Sequence, residues 1–109
     1  MAFKCIIALV KPHLTDDMVT AAKEAGATGA TILPGKGTGI REAKSFFGLT
    51  LEISTDIVLF LLQEKLVDSV LKAIKRAGRF KEPGTGIAFV LPVNQIVGLE
   101  SQIGKKGDV

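Results

Sequence analysis

The chain has no tryptophan, no tyrosine, one cysteine and one histidine in 109 residues. Without Trp or Tyr, the core must come from Ile, Leu, Val, Ala and the six Phe, and tyrosine modification is ruled out. The lone Cys5 makes no intramolecular disulfide. It lies in an apolar stretch where a small buried hydrophobe is expected, and a reducing compartment fits it. His13, beside Pro12 at a strand end, has no clustered Ser, Asp or Cys partner, so a catalytic triad has no basis. Nor do the His, Cys and carboxylate positions show a metal-ligand spacing. No segment reaches about 18 uninterrupted apolar residues. The amino terminus turns polar at Lys11-Pro12-His13 before a signal-peptide core forms, so a soluble, cytoplasmic protein without membrane insertion is expected. Long runs of one charge are also missing. The formal net charge is +3, acidic residues are interspersed with basic ones, and Lys and Arg do not cluster with aromatics as nucleic-acid binders require.

What is present is an aliphatic, ordered chain with 47% hydrophobic residues. Its length suits one domain that buries roughly 65% of its unfolded surface, a small core of the kind often completed by oligomerisation. Phe3–Val10 reads as a strand ended by Lys11-Pro12. Thr15 is placed as N-cap of a helix over Thr15–Ala25, with Asp16 and Asp17 in its first turn and Gly26 as its stop. Thr28–Pro34 reads as a second strand and Asp56–Leu62 as a buried third, which the alternating Leu49–Ser54 extends. A second helix begins at Gln63-Glu64-Lys65, with Leu66, Val67, Val70, Leu71, Ile74 and Ala77 as its apolar stripe and its charges on a solvated face. It ends at Gly78. Ile87–Val93 is the fourth strand, Pro92 marking an edge, and Asn94–Leu99 reads as a short fifth.

The stretch Gly35-Lys36-Gly37-Thr38-Gly39 stands out. Three glycines in five residues permit positive φ and leave backbone N–H groups open to an anion, with Lys36 adding charge; a flexible turn or bulge is the plainer alternative. Strict dinucleotide and P-loop spacings are not met. The following segment, residues 40–54, is too polar for core and too apolar for a linker, and a loop of about fifteen residues between strands tends to carry function. A second glycine loop runs Arg79-Phe80-Lys81-Glu82-Pro83-Gly84-Thr85-Gly86.

The halves echo one another: Ala22-Lys23-Glu24-Ala25-Gly26 precedes strand two, and Ile74-Lys75-Arg76-Ala77-Gly78 precedes strand four. A doubled βαβ of this length predicts an α+β, ferredoxin-like βαββαβ sandwich, a four-stranded antiparallel sheet with two helices on one face. It would occupy residues 1–99, with loop 40–54 projecting from it and a loose tail over 100–109. Strands one and three are apolar on both faces, which calls for a cover over the bare sheet face, such as further copies of the chain.

An apolar first strand into Lys11-Pro12, Leu14-Thr15-Asp16-Asp17, Ala25-Gly26-x-x-Gly29, Gly37-Thr38-Gly39, a long loop, Gly84-Thr85-Gly86 and Ile87-Ala88-Phe89-Val90-Leu91-Pro92-Val93 together resemble the P-II (nitrogen-regulatory) signal-transduction family. The resemblance covers about Phe3 to Leu99. It implies a homotrimer with clefts between subunits that bind ATP or ADP, and a protruding loop that docks on a transporter or metabolic enzyme. Carried over, it places Gly37, Thr38 and Gly39 near the phosphates, Thr31 and Leu61 near the adenine, and Gly84, Thr85 and Gly86 in the second phosphate loop. Departures accompany it. Arg41 stands where the family has a glutamine that helps hold magnesium and 2-oxoglutarate, and a guanidinium ligates no cation but pairs with phosphate or carboxylate. Gly98, Glu100 and Ile87 stand at usually basic positions, with Arg79 and Lys81 as candidate replacements. Loop 40–54 is shorter than usual and has no tyrosine, which excludes uridylylation there. Nucleotide binding is then weakened, altered toward AMP or another anion such as bicarbonate, or lost. The alternatives are a trimeric scaffold without a nucleotide site, a metal-binding relative of the same fold and, on thin candidates, an enzyme using His13.

Overall fold

The computed structural model describes residues 2–37, 45–46, 49–50 and 53–99. Among the described residues, six strands and two α-helices follow in the order β1 (Phe3–Val10), α1 (Thr15–Glu24), β2 (Thr31–Gly37), β3 (Ser45–Phe46), β4 (Leu49–Thr50), β5 (Ile53–Gln63), α2 (Val67–Ala77) and β6 (Gly86–Val93). Four of them form an antiparallel sheet in the order β2-β5-β1-β6, with both helices packed across it, the expected ferredoxin-like arrangement. β3 and β4 pair only with each other. The two outer strands each carry a proline, Pro34 opposite Asp56 and Pro92 opposite Lys4. A residue without an N–H is tolerated at a sheet edge and not in its centre.

Period-two alternation divides the sheet. Ile6, Ala8 and Val10 of β1 and Val58, Phe60 and Leu62 of β5 are buried under the helices, joined there by Met18 and Ala22 of α1 and Val70 and Ile74 of α2. Phe60 is the largest fully buried side chain, and its truncation to alanine removes about 3–5 kcal/mol. The intervening residues face the other way. Cys5, Ile7 and Leu9 of β1, Leu33 of β2, Ile57, Leu59 and Leu61 of β5, and Ile87, Phe89 and Leu91 of β6 share one face by register. Neither described helix covers them; Ile87 is 57% exposed and Leu33 46%. Strands one and three are thus covered by helices on one face and present on the other the apolar surface for which a cover is expected. Cys5 is correspondingly half-buried on the open face rather than in the core, and burial still pushes its thiol upward from the ordinary value.

Several boundaries differ from expectation for local reasons. Thr15 is not an N-cap: a 3-10 turn over Pro12–Leu14 precedes the helix, and Thr15 is its first residue. Its hydroxyl donates to the Asp56 carboxylate at 2.6 Å and so ties α1 to β5. The second helix is likewise introduced by a 3-10 turn, Glu64–Leu66. Gly26 does end α1 with φ 127°, but Gly78 has φ −82°, and the left-handed residue after α2 is Arg79, at φ 56°. Gly78 is required for space instead, since a Cβ there would lie 2.5 Å from Cε1 of Phe80 and 2.9 Å from the Ile74 carbonyl oxygen. Asn94–Leu99 forms no strand; pairing in β6 stops at Val93, where β1 runs out at Phe3. Residues 100–109 lie outside the described part of the chain.

Candidate functional site

The described part of the first glycine stretch, Gly35-Lys36-Gly37, is extended. β2 continues through it, with Gly35 opposite Thr55, Lys36 opposite Ser54 and Gly37 opposite Ile53. An extended strand sends successive amides to opposite sides, whereas a nest needs them to converge. Gly35 serves close packing: a Cβ there would meet Cδ1 of Ile57 at 3.2 Å. Because Pro34 is level with Asp56, Val10 and Gly86, the residues beyond it form a two-stranded ribbon projecting past the end of the four-stranded sheet. Thr38, Gly39, Arg41 and most of loop 40–54 lie outside the described residues, apart from the paired segments of β3 and β4 and the start of β5.

The second glycine loop is a compact turn held from within. Glu82-Pro83-Gly84-Thr85 closes with the Thr85 N–H on the Glu82 carbonyl at 3.3 Å. Proline at its second position and Gly84 at φ 78° in its third are the pattern of a type II turn. Thr85 is buried, and its hydroxyl lies 2.6 Å from the Arg79 carbonyl oxygen and 2.8 Å from that of Glu82, sharing one proton between two acceptors. The Glu82 N–H also donates to the Arg79 carbonyl, at 3.0 Å. The Phe80 ring fills the space left by Gly78 and Gly86, and a Cβ on Gly86 would collide with the Leu9 carbonyl oxygen. Arg79 and Lys81 are both exposed, and line a groove of about 420 Å³ with Lys72, Lys75, Arg76 and Glu82. Spacing in the sequence hid this clustering: the cations come from a helix stripe and the loop that follows it.

The remaining predicted residues fall elsewhere. Thr31 is exposed at the start of β2, opposite Leu59, and Leu61 lies one step further along the same face of β5. These two are brought together. The β2 glycines and the Gly84–Gly86 turn are not, because β5 and β1 intervene; three strand spacings put β2 about 14 Å from β6. Ile87 opens β6 on the apolar face, opposite Leu9, with no charge to offer a phosphate. His13 is exposed in the turn before α1. No three His, Cys, Asp or Glu side chains converge as a metal site among the described residues, and no helix among them is long and apolar enough to cross a membrane.

Comparison with known proteins places this arrangement in context. The family described as nitrogen regulatory protein P-II matches residues 3–102. The chain is similar to the nitrogen regulatory protein P-II of Azospirillum brasilense, 28% identical over 95% of this chain and 96% of that protein. It is 26% identical to the protein of the same name from Rhodobacter capsulatus, over 96% of both chains. The nitrogen regulatory protein GlnK2 of Haloferax mediterranei is 28% identical over 95% of this chain and 87% of its own length. With nearly its whole length matched, and the sheet order and paired helices expected of the fold, this chain belongs to the P-II family of signal-transduction proteins.

Proposed function

We propose that the protein is a non-enzymatic, trimeric cytoplasmic regulator that binds an adenine nucleotide or a small anion between subunits and signals through loop 40–54. Thr31, Gly37, Thr38, Gly39, Arg41 and Leu61 would come from one subunit, and Arg79, Lys81, Gly84, Thr85 and Gly86 from its neighbour. The observation that carries this reading is the separation of the two glycine loops at opposite edges of one sheet, beside an apolar face that neither described helix covers. A second copy supplies both the cover and the missing half of the cleft. Arg41, Arg79 and Lys81 supply the positive charge that Ile87 does not. A loop anchored beside phosphate is ordered by it, and the ligand shifts the loop by its differential affinity for the two states. The signal would pass to a protein target, a transporter or a metabolic enzyme.

Calorimetric titration with ATP, ADP and AMP, with and without magnesium, 2-oxoglutarate or bicarbonate, tests this on material of known mass in solution. Binding near one site per subunit is expected, and Gly37→Val and Gly84→Val should each abolish it while the trimer persists. Unchanged affinity in both variants would remove the site assignment. Exposed Ile87, apolar at a phosphate-loop position, favours one alternative, a trimeric scaffold with no nucleotide site. An intact trimer that binds none of these ligands would establish that alternative.

A further inference from the structure

Lys72, Lys75 and Arg76 are exposed along one stripe of α2, and the chain then turns through Gly78 to place Arg79 and Lys81 beside them. Five of the chain's fourteen cationic residues and one of its eleven anionic ones line this groove. It therefore holds a formal charge of +4 in a chain whose net charge is +3, so the remainder of the molecule is on balance slightly acidic. Like charges at helical spacing, such as Lys72 and Arg76, cost a few tenths of a kcal/mol. The helix dipole compensates Lys75 and Arg76 in the last turn but not Lys72, Arg79 or Lys81. Asp68, one turn before Lys72, and Glu82 at the rim are the acidic groups nearest in sequence.

The loop side of the groove is fixed before any ligand arrives. Arg79 sits at φ 56°, its carbonyl accepts from the Thr85 hydroxyl and the Glu82 N–H, and Phe80 is wedged between Gly78 and Gly86. We infer that this groove is an anion site in its own right, which takes a compact polyphosphate of small-molecule size. Arginine forks and lysine point charges suit phosphate oxygens. The volume of about 420 Å³ lies within the small-ligand range. No aromatic side chain lines the groove for base stacking, which disfavours single-stranded nucleic acid. The site belongs to the helix layer, on the opposite side of the sheet from the apolar face. Arg79 and Lys81 are shared with the cleft proposed above, so the test rests on the three helix cations.

The full chain is titrated with sodium tripolyphosphate at about 50 mM salt, where screening is modest. One anion per chain is expected, with affinity that falls steeply as salt rises. The combined variant Lys72→Gln, Lys75→Gln and Arg76→Gln, all exposed positions, should keep its thermal melting profile and bind at least about tenfold more weakly. In a Gly37→Val background, which removes the cleft proposed above, tripolyphosphate should still bind, and the same triple substitution should still weaken it at least about tenfold. Absent binding, an unchanged affinity in the triple variant, or loss of binding in Gly37→Val would each overturn the site, the last by placing the anion in the cleft. A hexaglutamate peptide bound as tightly as tripolyphosphate would overturn it in favour of an acidic protein segment. AMP measured against inorganic phosphate reports the nucleoside-dependent cleft, so failure of the nucleotide reading leaves the tripolyphosphate result separately legible.

Discussion

The Thr85 hydroxyl lies 2.6 Å from the carbonyl oxygen of Arg79, six residues earlier, and holds that arginine in a left-handed conformation. Replacing Thr85 with valine keeps the shape and removes the buried hydroxyl, so the Arg79 and Glu82 carbonyls each keep only a backbone N–H as donor. A loss of about 1–2 kcal/mol in urea unfolding is expected. Arg79→Gly relieves the left-handed strain of about 1–2 kcal/mol at the expense of chain entropy and should leave stability nearly unchanged. If Thr85→Val unfolds at the wild-type urea concentration, the hydroxyl does not hold the turn.

Two glycines should respond oppositely to alanine. A Cβ on Gly86 collides with the Leu9 carbonyl and crowds Phe80, so Gly86→Ala must move β6 away from β1, with an expected loss of at least about 2 kcal/mol. Gly29 has no atom within 4 Å of its would-be Cβ, and Gly29→Ala should change stability by less than about 0.5 kcal/mol. Thermal melts of the pair under one buffer decide the matter.

The Thr15 hydroxyl reaches Asp56 at 2.6 Å, across 41 positions of sequence. Thr15→Val strips a charge-assisted hydrogen bond from a carboxylate and should cost about 1.5–3 kcal/mol, whereas Thr15→Ser should retain most of it. Equal stability of the valine and serine variants would show that packing, and not the hydroxyl, matters at this position.

The apolar sheet face gives a test of assembly. Ile7 is level with Leu59 on one side and Phe89 on the other, at the middle of that face. Ile7→Glu or Phe89→Glu should convert the assembly to monomers, measured by light scattering, with the helix-side core untouched. Cys5 on the same face reports cover: its alkylation should be slow in the wild type and faster in the monomeric variants. Because burial raises the thiol pKa, the folded chain holds its proton longer than the unfolded chain. That contribution to stability is full below the thiol's ordinary range and is lost as pH rises through its folded value. Alkylation should accelerate only at pH above the ordinary thiol range. Monomeric wild-type protein would overturn the cover.

The fold was legible because continuous apolar runs marked the two central strands and helical periodicity marked α2: Ile6, Ala8, Val10, Val58, Phe60 and Leu62 lie in the core with Val70 and Ile74 of the α2 stripe, while Leu66, Val67, Leu71 and Ala77 are partly buried at its margin. Local errors arose where two conformations suit the same residues. Thr15 is as good a tertiary hydrogen-bond donor as it is a cap, and Gly35 fits a packed strand as well as it fits a turn. Of the residues named for the site, Arg79–Gly86 form one hydrogen-bonded turn, and Thr31 stands opposite Leu59, two residues before Leu61. The basic groove was missed because Lys72, Lys75, Arg76, Arg79 and Lys81 make no run in the sequence and meet only when the helix and its following turn are assembled.

The prolines of the outer strands decide what kind of growth this chain permits. Both margins of the sheet lack a donor at one position, Pro34 on one side and Pro92 on the other, while the apolar surface lies on its broad side. Ladder-by-ladder addition of further chains is thereby interrupted, which leaves the apolar face as the surface for association. The same two residues that tolerate solvent at the margins thus work against extension of the sheet by edge pairing.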